Sequence, residues 1–147
     1  MDHGKRYENL ARQVSAIGAV KRGLARTLPA DCPGGSAIVL ALLHHHGDVR
    51  IGRVSELMAV DMSVSSRHVA HTVDRGWVER LPDPADKRSR ILHLTPAGES
   101  MLAVLDRRLT DMLARTLVEW SDDDVELLTD LLARLRDSFG DCRAHHA

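Results

Sequence analysis

The chain has 147 residues, of which 28% are charged and 44% hydrophobic, and its formal net charge is -1. That length is one domain's worth, enough for one buried core and short of two independent ones. No apolar run approaches the roughly 20 residues that span a bilayer, and no secretory-type apolar segment follows Met1-Asp2-His3-Gly4-Lys5-Arg6, so no membrane partner is expected and the protein is expected in the cytoplasm.

Aromatics are limited to Tyr7, Trp77, Trp120 and Phe139, so the core must be built from Leu, Val, Ala, Ile and Met, which favours helices. Cys32 and Cys142 are too few for a disulfide framework, and each is expected as a free thiol. The charge is unevenly spread: residues 1–47 carry a net +3, residues 48–98 a net +1 and residues 99–147 a net -5. A nucleic acid responds to the local field, so overall neutrality does not exclude a basic binding face in the first two thirds.

From about residue 5 to 27, Leu10, Val14, Ile17, Val20 and Leu24 recur at helical spacing. This predicts one long amphipathic helix with Arg12, Lys21, Arg22 and Arg26 on its outer face. Leu28 to Gly35 is a break rich in proline and glycine, with Ser36 as the expected cap of a second helix through Ile38, Val39, Leu40, Leu42 and Leu43. That helix ends at His44-His45-His46-Gly47. The next residues, Asp48 to Ile51, have the character of a short strand.

Residues 51–96 organise the rest. Val54, Leu57 and Met58 give one helix an apolar face, and the turn Ala59-Val60-Asp61 leads into a second helix from about Met62 to Arg75, with Asp61 as its expected N-cap and Gly76 as its stop. The period then changes from helical to alternating. Trp77-Val78 begins a strand that Pro82 and Pro84 should stop, and Ile91, Leu92, His93 and Leu94 form its return. Between them Asp83 to Arg90 makes a hairpin tip dense in cations. Two helices at a turn followed by a basic hairpin make a winged helix-turn-helix, which offers one helix to a DNA major groove and a loop to the backbone or minor groove beside it.

Thr95 and Pro96 are the expected N-cap and first residue of the next helix, with Glu99 near the capping-box position. That helix should run to about Glu119. Ser121 with Asp122, Asp123 and Asp124 should cap a last helix, the acids lying at its positive end. Its stripe runs through Leu128, Leu131, Leu132 and Leu135. The first and last two helices are long and strongly apolar, and a small winged-helix core cannot cover them. Leu10, Val14 and Ile17 are therefore expected to pack with the last stripe in a two-fold homodimer.

Four runs fall without a gap on one pattern: Ser66-Arg67-His68-Val69, Arg75-Gly76-Trp77-Val78-Glu79-Arg80, Pro82-Asp83-Pro84-Ala85-Asp86-Lys87-Arg88, and Leu94-Thr95-Pro96-Ala97-Gly98. In them the chain resembles the MarR (multiple antibiotic resistance regulator) family of bacterial transcription factors, over about a third of its length. It departs at Thr72, where the family usually has a buried leucine, at Val64-Ser65, where Thr-Val is common, and at Arg50, where a serine or threonine would cap the helix.

The resemblance implies a mainly α fold with a small β-hairpin wing: a single domain over residues 1–147, a DNA-binding lobe over 34–96, and dimerisation helices over 5–28 and 97–139. It implies a pseudo-palindromic duplex operator as partner, a small-molecule effector that is often an aromatic acid, no cofactor and no enzymatic activity. Ser63, Ser65, Ser66, Arg67 and His71 are the expected major-groove contacts, because short hydroxyls permit close approach and an arginine can fork onto guanine. Lys87, Arg88 and Arg90 are the expected wing contacts, since a narrow minor groove attracts cations. From the family's Asp-x-Arg motif, Asp86 is expected to hold Arg88 in place.

Arg12 and His44 are candidate effector partners. Cys32 is a candidate redox sensor, an alternative on the same scaffold, as is a zinc-responsive regulator. Adjacent histidines on a helix point about 100° apart and cannot all chelate one ion, so no metal site is assigned to His44-His45-His46. A winged helix used only for protein contacts is the third alternative.

Overall fold

The computed structural model describes the backbone of residues 2–144 and the side chains of residues 2–140. Cys142, expected as a free thiol, lies outside the described side chains. Among the described residues seven helices and one hairpin follow in order: α1 (His3–Ala16), α2 (Gly18–Ala25), α3 (Gly34–His46), α4 (Ile51–Met58), α5 (Met62–Asp74), β1 (Val78–Asp83), β2 (Asp86–Leu94), α6 (Pro96–Thr116) and α7 (Asp122–Ala144). The chain divides into two compact units, residues 1–109 and 110–147. The fold is mainly α with a hairpin wing, as expected.

The first helix expected over 5–27 is two helices. The chain tightens at Ile17, whose N–H bonds the Val14 carbonyl at 3.2 Å, and α2 restarts at Gly18. Glycine inside a helix is disfavoured by its backbone entropy, which places the joint there. α3 begins two residues before its expected cap. Ser36 is buried within the first turn with no partner for its hydroxyl, and Pro33 takes the cap position. Gly47 ends the helix at φ 78°, a conformation that glycine adopts without steric cost.

The core of the first unit is formed where α3, α4, α5, the wing and the start of α6 meet, around Val39, Leu40, Val54, Val69, Val78 and Leu92. Val54 is fully buried as expected, with Leu57 and Met58 partly so. α4 turns into α5 through Ala59, which lies in the left-handed region at φ 55°. Asp61 does occupy the cap position of α5, and its backbone carbonyl accepts the N–H groups of Val64 and Ser65. Its carboxylate makes no capping bond, contrary to expectation. Gly76, at φ 77°, redirects the chain into the wing.

The wing strands pair antiparallel from Val78↔Leu94 to Pro82↔Arg90. Pro82 does not stop β1, which continues to Asp83. A proline is tolerated there because an edge strand need not donate every N–H. The register breaks between Pro82 and Asp83, and Asp83 pairs with Asp86, so residues 87–89 have no residue opposite them. Val49 adds an isolated bridge to Leu92, the remnant of the expected short strand. At the start of α6 the Thr95 hydroxyl accepts the Gly98 N–H at 3.1 Å and donates to the Gly76 carbonyl at 2.6 Å. Glu99 does not close a capping box. Its carboxylate lies 3.1 Å from His44 instead.

In the second unit, the Ser121 hydroxyl accepts the Asp124 N–H at 3.2 Å, capping α7 as expected. The end of α6 and the start of α7 border an open apolar groove lined by Leu113, Leu117, Trp120, Val125, Leu128 and Leu132. Leu128, Leu131, Leu132 and Leu135 are exposed in the single chain, as are Leu10, Val14 and Ile17 in the first unit.

Candidate nucleic-acid interface

One face of α5 is inward and one outward, and the division separates the expected contacts. Ser65, Val69 and Thr72 stand four and three residues apart and are all fully buried. Ser65 is thereby corrected: its hydroxyl lies inside the lobe with no partner and cannot reach a duplex. Thr72 fills the family's leucine position by turning its hydroxyl onto the Val69 carbonyl at 2.6 Å, which satisfies the buried donor within the helix. Ser63 and Arg67 are on the outer face, with Ser66 half-buried beside them.

His71 is also diverted. Its Nε2 donates to the Asp31 carbonyl at 3.0 Å, since a carbonyl can only accept, and its ring lies edge-on to Trp77. The Asp31 carboxylate meets Arg75 at 2.8 Å, and the Arg75 guanidinium lies 5.4 Å from the Trp77 ring centre. The loop before α3 thus holds two residues one turn apart at the end of α5. Neither contact is readable in the sequence, because the partners are 40 and 44 residues distant and carry no motif.

On the wing, Lys87, Arg88 and Arg90 are exposed. Asp86 does act on Arg88, through the backbone: one carboxylate oxygen accepts the Arg88 N–H at 3.0 Å and the other accepts the Ser89 hydroxyl at 3.3 Å. This fixes the unopposed segment and leaves the guanidinium uncommitted. Among the described residues, Arg67, Lys87, Arg88 and Arg90 form no ion pair. Cations without internal partners can donate to phosphate or base oxygens without first breaking a bond.

The wing is also tied at its turn and near its base. Arg50 reaches Asp83 with Nε at 2.7 Å and with its terminal nitrogen at 2.6 Å, and the second Asp83 oxygen accepts the Ala85 N–H at 2.9 Å. The Ala85 N–H, followed by Arg50, holds the Asp83 carboxyl below its ordinary range. His93 lies 2.8 Å from Asp48, which raises its pKa above the usual 6.5.

The remaining candidates fall elsewhere. Cys32 is fully buried in the core, and burial, with Asp31 second, raises its thiol pKa. That opposes the thiolate character a sensor cysteine needs. Arg12 is exposed and bonds Asn9 on its own helix at 3.4 Å. His44 pairs with Glu99. Neither lines the apolar cavity of about 400 Å3 between α2, α3 and α6, whose wall includes Leu24, Ala37, Ile38 and Leu102, with Lys21 and Asp106 as its charged residues. Among the described residues no group of three His, Cys, Asp or Glu side chains is arranged to hold a metal ion, and no helix is long and apolar enough to cross a membrane.

Residues 30–89 match the family model described as MarR family. Over 106 residues the chain is 27% identical to the uncharacterized HTH-type transcriptional regulator YxaD of Bacillus subtilis, covering 72% of this chain and 74% of that protein. Over 108 residues it is 28% identical to the multiple antibiotic resistance protein MarR of Salmonella typhimurium, covering 73% and 75%. The crystal structure of apo wild-type MarR from E. coli superposes with a TM-score of 0.75 at 26% identity, over 86% of this chain and 95% of that one. A cysteine-to-serine variant of that protein complexed with operator DNA gives 0.68 at 25% identity, over 92% and 99%. The family match spans the helix-turn-helix and most of the wing, the fold agrees over most of the chain, and in both the chain is similar to the MarR family of transcription regulators.

Proposed function

We propose that the protein is a repressor that binds a pseudo-palindromic operator as a homodimer, in the cytoplasm, and is released by a small-molecule effector. The observation that carries the reading is the set of uncommitted cations on one lobe: Arg67 on the outer face of α5, and Lys87, Arg88 and Arg90 on a wing whose backbone Asp86 holds. Arg67, with Ser63 and Ser66, would read the major groove, and Arg88 the minor groove beside it. The related chain crystallised with operator DNA supports this placement.

Dimerisation is supported by the apolar side chains left uncovered in a single copy, Leu10, Val14 and Ile17 on one unit and Leu128, Leu131, Leu132 and Leu135 on the other. Such surfaces are ordinarily buried against a partner. The cavity between α2, α3 and α6 is the proposed effector site. Its volume of about 400 Å3 suits a small organic molecule, and its wall is apolar except for Lys21, Thr27 and Asp106. An aromatic acid would place its ring among the leucines and its carboxylate toward Lys21. To release DNA it must prefer the conformation with the wrong spacing of recognition helices, because a ligand shifts an equilibrium only by its differential affinity.

The test is operator selection from a pool of random duplexes, followed by titration of Arg67→Ala and Arg88→Ala on the selected duplex with and without salicylate as the probe acid. Both variants should bind more weakly, and salicylate should weaken the wild type. A pool that yields no preferred duplex, or variants that bind as tightly as wild type, would refute the DNA reading. The redox alternative has little support from a thiol that is buried and harder to ionise.

A further inference from the structure

Three consecutive residues just before α4 each bond to the wing. The Asp48 carboxylate meets His93 at 2.8 Å, the Val49 carbonyl accepts the Leu92 N–H at 2.8 Å, and the Arg50 guanidinium grips Asp83 at 2.6 and 2.7 Å. The first two bonds fall on neighbouring positions of β2, and the third lies at the far end of β1, beside the turn. Arg50 is also the N-cap residue of α4, and α4 leads through Ala59 into α5. The strap is therefore covalently continuous with the helix-turn-helix on one side and hydrogen-bonded along the wing on the other.

We propose that Asp48-Val49-Arg50 is a positioning strap, and that Arg50 sets the attitude of the wing toward the recognition helix so that Arg88 is delivered to the duplex. This rests on the reading of Arg88 as a DNA contact.

The residue type supports the assignment. Cap positions favour Ser, Thr, Asp and Asn, whose short side chains bond the first free N–H groups. An arginine cannot do so, and α4 starts with no side-chain cap bond. What Arg50 supplies instead is reach and a forked donor suited to a carboxylate. Its partner is fully employed. One oxygen of Asp83 closes the Pro84-Ala85 turn on the Ala85 N–H and the other receives Arg50, and the Asp83 side chain is only 11% exposed. The Arg50 bond thus acts at the turn from which the unopposed residues 87–89 depart, one residue beyond Asp86. A two-stranded hairpin is marginal by itself, so its direction depends on such outside anchors.

The competing account is that Arg50, whose side chain is 48% exposed, contacts a phosphate directly. The two accounts predict opposite signs for Asp83→Asn. If Arg50 works by holding the wing, loss of the carboxylate charge frees the wing and weakens binding. If Arg50 contacts DNA, removing its acidic partner strengthens binding.

The experiment measures affinity for the selected operator at several salt concentrations for Arg50→Ala, Asp83→Asn, Arg88→Ala and the double variants, with a melting curve for each. We expect Arg50→Ala and Asp83→Asn each to weaken binding about tenfold and to lower the salt slope by about one, as loss of the wing arginine's own contact would. Adding Arg88→Ala to either should cost nothing further, since the contact is already lost. Arg50→Lys, which keeps the charge without the fork, should also bind more weakly, and it serves where Asp83→Asn does not fold. Tighter or unchanged binding by Asp83→Asn, full affinity in Arg50→Lys, or multiplicative losses in the doubles would overturn the inference while leaving the wing reading intact. An Arg88→Ala protein that binds as wild type defeats the wing reading, and this inference with it.

Discussion

Gly98 lies directly against the backbone carbonyl of Trp77, so closely that a Cβ at position 98 would overlap the carbonyl oxygen. The contact is made where the chain leaves α5 for the wing and where it returns from the wing into α6. The Thr95 hydroxyl bridges the same place, between the Gly76 carbonyl and the Gly98 N–H. The Leu94-Thr95-Pro96-Ala97-Gly98 run is thus a joint as well as a helix cap.

Gly98→Ala should therefore destabilise the protein, by about 2 kcal/mol, the scale of overpacking against atoms that cannot move aside. Chemical denaturation of the variant checks this. An unchanged midpoint would show that the joint yields freely.

Ser65→Ala should leave operator affinity unchanged and raise stability by up to about 1 kcal/mol, because it removes a buried hydroxyl that has no partner. Arg67→Ala should do the reverse, costing roughly 1–3 kcal/mol of operator binding and relaxing selectivity at one base pair while stability is unmoved. Titration of both variants on the selected duplex and on a randomised one separates the two outcomes.

Cys32 should resist modification. In a Cys142→Ser background, a thiol reagent should label the native protein slowly and the denatured protein at once, because the Cys32 thiol is buried and its pKa is raised. Peroxide should leave operator binding unchanged in the same background. Rapid native labelling would restore the redox alternative.

The pair His93 and Asp48 predicts a pH dependence of stability. Asp48, with Glu79 adding to it, raises the His93 pKa above 6.5, so the folded state binds the proton more tightly than the unfolded chain. The added stability is full below about pH 6.5 and is lost as the pH rises through the raised value. Asp48→Asn should lower stability at pH 5.5 and have a smaller effect at pH 8. A difference independent of pH would show that the pair holds no proton.

The sequence shows most clearly what is set by local chemistry. The helix-turn-helix, the hairpin, the Thr95 and Ser121 caps and the glycine at position 76 depend on neighbours within a few residues, and the structure has them where expected. Ser65 is expected on the DNA face by its polarity, whereas its spacing to Val69 and Thr72, four and seven residues on, places it on their inward face. The joint at Ile17 could have been suspected from Gly18. His71 on Asp31 and Arg50 on Asp83 are different. Their partners are separated by 40 and 33 residues, and only the folded chain brings them together.

In the proposed complex two copies of the lobe grip neighbouring turns of one duplex. Hydroxyl-radical footprinting of the selected operator tests it most directly. The account predicts two symmetric sets of protections centred about 10 base pairs apart on one face, each with a minor-groove edge that disappears in Arg88→Ala. A single protected patch, or one unaltered by that substitution, would contradict it.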